Sequence, residues 1–181
     1  AVVMAVAYLV LAIRQNIWCW FCAGVSTAIY VWLTFVAKLY MDTALQLFYF
    51  AMAAYGWYVW TSGRHDGHEK DVVVWPVSTH AIALVLIAAV GLTNGYLLDT
   101  RTDAAFPYLD AVTTWAAVWA TFLVARKVLE NWWYWLAIDA VYVFLYWSRD
   151  LKWTAGLFAF YIVLIPIGFL SWSKSMREQT A

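Results

Sequence analysis

Seven apolar runs fill this sequence, at residues 1–13, 17–37, 44–61, 76–98, 108–125, 132–147 and 153–173, and most joints between them are short. A helix needs about 20 largely apolar residues to cross the hydrocarbon core of a bilayer. Inside that core every backbone N–H and C=O must be bonded within the protein, which leaves helices as the use for runs of this length. The expected fold is therefore all-α and transmembrane, with seven helices. Charge content agrees, because 12% of residues are Asp, Glu, Lys or Arg, against about 25% in soluble domains. Basic and acidic residues also cancel, so no cationic surface is offered to nucleic acid.

The first run is shorter than a span and opens without methionine, so it is expected to be the end of a helix that begins upstream. It lacks the basic flank and small-residue cleavage site of a signal peptide. Across the joints, Arg14, Arg64, Lys70, Arg126, Lys127, Lys174 and Arg177 fall on one side and outnumber Lys38, Arg101, Arg149 and Lys152 on the other. The positive-inside rule then places the C-terminus in the cytoplasm. The most polar joint, residues 62–75, holds His65 and His68 beside Asp66 and Glu69. It reads as a solvated loop, since no further ligand completes a metal geometry. Cys19 and Cys22 stand in an apolar run with nothing to stabilise a thiolate, and are expected to pack as small hydrophobes.

An internal duplication is visible. Asn16-Ile-Trp18-Cys-Trp20 matches Asn131-Trp-Trp133-Tyr-Trp135, and Gly56-Trp57-Tyr-Val-Trp60 matches Gly168-Phe169-Leu-Ser-Trp172, with about three residues deleted between the anchors of the second copy. Two three-helix repeats, 1–61 and 108–173, are thus expected around a loop and linker helix at 62–107, with a tail at 174–181. A single linking helix restores the starting direction, so the repeats are parallel. This 3+1+3 plan is that of carriers that rock two similar halves about a site.

Polar and aromatic groups recur at helical spacing. Gln46, Tyr49, Ala53, Trp57 and Trp60 share one helix face, and Asn131, Trp135, Asp139 and Tyr142 another. Trp20 lies one turn from Asn16, and Trp115 one turn from Trp119. An amide at membrane depth has to bond something, so Gln46 either joins two helices or meets a ligand. The same choice holds for Asp139, the one acid well inside a run. Trp57 and Trp60 approach a helix end and also suit an interfacial belt. Fourteen tryptophans, several at helix-interior positions, provide flat walls that attract a desolvated cationic ring by about 2 kcal/mol. Few cations accompany them, so a phosphorylated ligand would enter unpaired.

The joined pattern of Trp18-Cys-Trp20, Leu39-Tyr40, Leu45-Gln46, Tyr55-Gly56-Trp57-Tyr58-x-Trp60 and Asn131-Trp132-Trp133-x-Trp135-x-x-x-Asp139 resembles the PnuC family of bacterial vitamin transporters over nearly the whole chain. The resemblance implies uptake of nicotinamide riboside through the inner membrane by facilitated diffusion. It also implies trapping by a cytoplasmic riboside kinase, a homotrimer, and protomers sharing the plan of SWEET sugar transporters. In that family the positions matching Gln46, Trp57, Trp60, Asn131 and Trp135 surround the substrate, and its pyridinium is a flat cation. The candidate binding residues are accordingly Trp20, Gln46, Tyr49, Trp57, Trp60, Asn131, Trp135, Asp139 and Tyr142, and no cofactor is expected.

Other readings start from different residues. Another flat vitamin, thiamine or riboflavin, or a sugar would use the same walls. An intramembrane enzyme would need a nucleophile with its base, whereas Ser26, Thr27, Ser78 and His80 are scattered over different runs. A purely structural subunit would use small residues such as Gly24, Ala28 and Ala53 for packing, and leaves the duplication and the buried amides without a role. No glycine-rich nucleotide loop is present to supply ATP drive.

Overall fold

A computed structural model describes residues 2–36, 40–62, 71–102, 106–148 and 150–179. Within them lie seven α-helices: α1 Val2–Ile13, α2 Trp18–Val36, α3 Tyr40–Ser62, α4 Val77–Arg101, α5 Pro107–Ala125, α6 Asn131–Ser148 and α7 Lys152–Gln179. On length and apolarity alone, α4, α5 and α7 can each cross a membrane, while α1 and α2 carry shorter apolar stretches. In α3 and α6, tyrosine, tryptophan and the polar members of the expected stripes replace aliphatic side chains. Large apolar residues such as Ile82, Val85, Trp153 and Val163 are exposed, as suits side chains whose surroundings are lipid rather than water.

Two compact units divide the chain. The first holds residues 1–72, 124–127 and 170–181, and the second residues 73–123 and 128–169. In the first, α2 packs against both α1 and α3. In the second, α4 buries Ala83, Ile87, Gly91 and Gly95, one residue per turn. A Cβ on Gly91 would stand 2.7 Å from Val112, and one on Gly95 2.7 Å from Tyr108. Glycine at these two positions is what lets α4 approach α5 closely.

The two helix ends that close the first unit are built alike. After α1, Gln15 N–H bonds Ala12 O and Asn16 N–H bonds Leu11 O; after α5, Lys127 N–H bonds Val124 O and Val128 N–H bonds Leu123 O. This is the paired bonding of a Schellman turn, whose left-handed residue is usually glycine. Here Gln15 (φ 54°) and Lys127 (φ 55°) take that conformation, although a side chain makes it costly. Their side chains also meet, with Lys127 Nζ donating to Gln15 Oε1 at 3.1 Å.

That correspondence corrects the register of the duplication. Gln15 and Lys127 are 112 positions apart, and the same interval pairs Trp20 with Trp132, Gly56 with Gly168 and Trp60 with Trp172, without a deletion. In both copies a tryptophan ring lies against a glycine so tightly that a Cβ would enter the ring, Trp20 on Gly56 and Trp132 on Gly168. Asn16 is therefore not the counterpart of Asn131. It instead starts α2 by accepting a hydrogen bond from Trp18 N–H at 3.0 Å, a local turn typical of asparagine.

The tail at 174–181 continues α7 as far as Gln179, with Lys174 and Glu178 paired one turn apart at 3.7 Å. The end of the 62–75 loop is docked rather than solvated: Val72 is buried, and Val73 O accepts from Leu129 N–H at 2.9 Å. Lys127, counted among the joint cations, is buried, 2% exposed. His65 and His68 lie outside the described residues.

Candidate functional site

In the first unit the indoles of three helices gather around a buried lysine. Trp20 meets Trp60 edge to face, with centroids 5.6 Å apart, and Tyr8 at 6.0 Å. Trp60 in turn contacts Trp172 at 6.3 Å. Lys127 Nζ sits 4.7 Å from the centre of a Trp60 ring, where the aromatic face offsets part of the cost of burying a charge. Two indole donors are spent on helix ends: Trp60 Nε1 on Ala125 O at 3.2 Å and Trp172 Nε1 on Ala12 O at 2.9 Å. By the 112-residue register, each tryptophan thus serves the first helix of the other repeat. Trp20 Nε1 is buried without a hydrogen-bond partner among the described residues.

Trp57 belongs to a different environment. It is half-buried, meets Trp18 edge to face at 5.7 Å, and lines an apolar groove of about 360 Å³ between α2 and α3. Gln46 and Tyr49, earlier on the same helix, are also half-buried, and Tyr49 contacts Phe48 at 5.6 Å. The expected α3 face therefore splits: Trp60 joins the indole cluster and Trp57 the groove.

In the second unit the expected stripe of α6 keeps its polar members from solvent. Asn131 is 0% exposed and Asp139 4%. The amide nitrogen Nδ2 of Asn131 donates to Val128 O at 2.7 Å. Its carbonyl Oδ1 has no hydrogen-bond partner among the described residues. A buried acceptor left empty costs about 1–3 kcal/mol, so a group that donates to it gains by that amount. Trp135 and Tyr142 pack with Tyr134 on Ala117, Ala120 and Ile138. Tyr142 also contacts Phe158 at 4.9 Å, and Phe158 stacks on Tyr146 at 5.4 Å with the planes 5° apart.

Sequence reasoning missed Lys127, whose loop position hides its burial, and Phe158, the 112-residue counterpart of Gln46. It also set His80 aside, although His80 Nδ1 lies 3.1 Å from Tyr134 Oη and Nε2 lies 3.8 Å from Glu130 Oε1. The constant interval between Gly56-x-x-x-Trp60 and Gly168-x-x-x-Trp172 was the signal that could have set the register.

Comparison with known proteins gives consistent matches. The family model described as "Nicotinamide mononucleotide transporter" matches residues 1–174. The nicotinamide riboside transporter PnuC of Escherichia coli (strain K12) is 23% identical over 197 residues, covering 93% of this chain and 81% of that protein. The riboflavin/roseoflavin transporter RibM of Streptomyces davaonensis is 25% identical over 181 residues, covering 98% and 84%. The crystal structure of the vitamin B3 transporter PnuC superposes with a TM-score of 0.73 at 18% identity, covering 98% of this chain and 80% of that one. The fold is therefore that of a solved transporter, and the 3+1+3 arrangement of this chain's seven helices fits it.

Proposed function

We propose, from the premise that this chain belongs to the nicotinamide mononucleotide transporter family, that it takes up nicotinamide riboside across the bacterial inner membrane by facilitated diffusion. The observation that carries the substrate reading is the empty acceptor of Asn131, fully buried on a helix it shares with Trp135. At membrane depth such an oxygen is satisfied by a donor on a guest, and the carboxamide N–H or a ribose hydroxyl of the riboside supplies one. Trp135 and Tyr142, on the same helix as Asn131, offer aromatic faces to the pyridinium.

The riboside is favoured over the mononucleotide of the family's description by charge. Few cations accompany the aromatic stripes, so an added phosphate would enter without a partner. Lys127 is already engaged by Gln15 and Trp60. In this reading a cytoplasmic kinase traps the vitamin, the protein works as a homotrimer, and the C-terminus faces the cytoplasm, as the bias of joint cations favours.

The test is tryptophan fluorescence of the purified protein titrated with nicotinamide riboside, its phosphate, thiamine and riboflavin, followed by flux into proteoliposomes. Saturable quenching by the riboside alone is expected. Asn131→Ala should weaken it about tenfold, the loss of one buried hydrogen bond. Wild-type affinity in that variant would remove Asn131 from the site, and saturable quenching by riboflavin alone would move the substrate to that vitamin. Flux accelerated by a pH gradient would overturn the passive mechanism.

A further inference from the structure

The entry to α4 grips the start of α6 at three successive points in the second unit. Val73 O accepts from Leu129 N–H at 2.9 Å. Trp75 N–H reaches Glu130 Oε2 at 3.5 Å. His80, in the first turn of α4, places Nδ1 3.1 Å from Tyr134 Oη, and its Nε2, buried without a hydrogen bond among the described residues, faces Glu130 Oε1 at the ion-pair distance of 3.8 Å. Glu130 and Tyr134 are one helical turn apart, so a single imidazole spans them across one ridge of α6. Asn131 lies between those two attachments.

The position of Asn131 gives this contact its consequence. Its backbone N–H and its side-chain Nδ2 both bond Val128 O, at 3.2 and 2.7 Å. The direction of the remaining Oδ1 is therefore set by how the first turn of α6 is rotated. A helix held at one point can turn about its axis, whereas two attachments on consecutive turns fix that rotation. The ring of His80 also lies against Tyr134, with centroids 5.8 Å apart, and Tyr134 packs on Ala117, Ala120 and Ile138 beside Trp135. A shift of His80 is thus passed both to the amide and to the indole of the stripe.

We propose that His80 is a positioning residue for substrate recognition, aiming the Asn131 carbonyl by bridging Glu130 and Tyr134. The inference rests on the reading of Asn131 given above. It adds the linker helix to the recognition machinery, so specificity is set partly from a segment outside both repeats. His80 touches no substrate in this scheme.

The experiment uses the full chain in proteoliposomes, with flux of nicotinamide riboside measured over a concentration series and thermal unfolding measured in parallel. In His80→Ala the KM is expected to rise about fivefold to tenfold, with Vmax per folded protein retained. His80→Asn can restore the contact to Tyr134, and His80→Gln the one to Glu130; each should recover part of the affinity. In an Asn131→Ala background, His80→Ala should add nothing further, because the group it aims is gone. A lower Vmax and unfolding temperature with unchanged KM would reduce His80 to a structural contact and overturn the proposal. Additive losses in the double variant would overturn it as well. An Asn131→Ala protein with wild-type KM would instead remove the reading of Asn131 itself, a distinguishable failure.

Discussion

Trp172→Ala is expected to lower the stability of the folded protein by about 3–5 kcal/mol, the usual cost of deleting a large buried aromatic. Trp172 has no exposed surface, and its indole joins α7 to Ala12 O at the end of α1. Truncation therefore removes packing against Trp60 together with the tie between the two helices. Trp172→Phe separates these contributions. It keeps a six-membered ring but loses the N–H and part of the fused ring system, and Ala12 O still accepts from Gln15 N–H at 3.0 Å. That variant should cost about 2 kcal/mol, one net hydrogen bond together with the smaller cavity. Thermal unfolding in detergent, followed by retention of monodisperse protein after heating, reads both. Equal losses in the two variants would place the energy in the hydrogen bond rather than in the packed ring.

Gly168→Leu should also be damaging, though less so, while Gly156→Leu on the same helix should be tolerated. A Cβ at 168 enters the Trp132 ring, whereas at 156 nothing lies within 4 Å. Leucine gains roughly 0.8 kcal/mol of helix propensity over glycine at either position. Overpacking a filled site costs about 1–3 kcal/mol and occasionally more, so at 168 the clash wins, with a net loss of about 2 kcal/mol. Trp132 is buried and cannot swing into solvent to make room. The matching substitution at Gly56 should behave similarly, since Trp20 occupies the same place in the first copy. Unfolding temperatures of the four proteins, wild type included, check the contrast. A Gly168→Leu protein as stable as Gly156→Leu would mean that the ring is not wedged.

How much of this was legible depended on the kind of signal. Apolar runs broken by polar joints marked all seven helices, because a membrane-spanning segment declares itself by length and composition. The amide of Asn131 and the acid of Asp139 stood out against such a background, and both are buried. In the duplication, the pairing of Gly56 with Gly168 and Trp60 with Trp172 came out but that of the first anchor did not, for an instructive reason. In a chain this rich in tryptophan, Asn-x-Trp-x-Trp matches by chance, and only the glycine beneath each indole distinguishes the correct pair. Lys127 was hidden because a lysine between two helices looks solvated, and its burial depends on where Trp60 falls in three dimensions. The last turns of α7 escaped because Lys174, Arg177 and Glu178 break the apolar run without breaking the helix.

The crossed tryptophan bonds have a bearing on ancestry. Trp60 caps a helix of the second copy and Trp172 a helix of the first, so neither copy is self-sufficient. Such an exchange is what two identical half-length chains would form on associating as equals, before any fusion joined them. It also restrains later divergence: a change at either indole is felt at the far helix of its sibling, and the two halves are bound to drift as a pair.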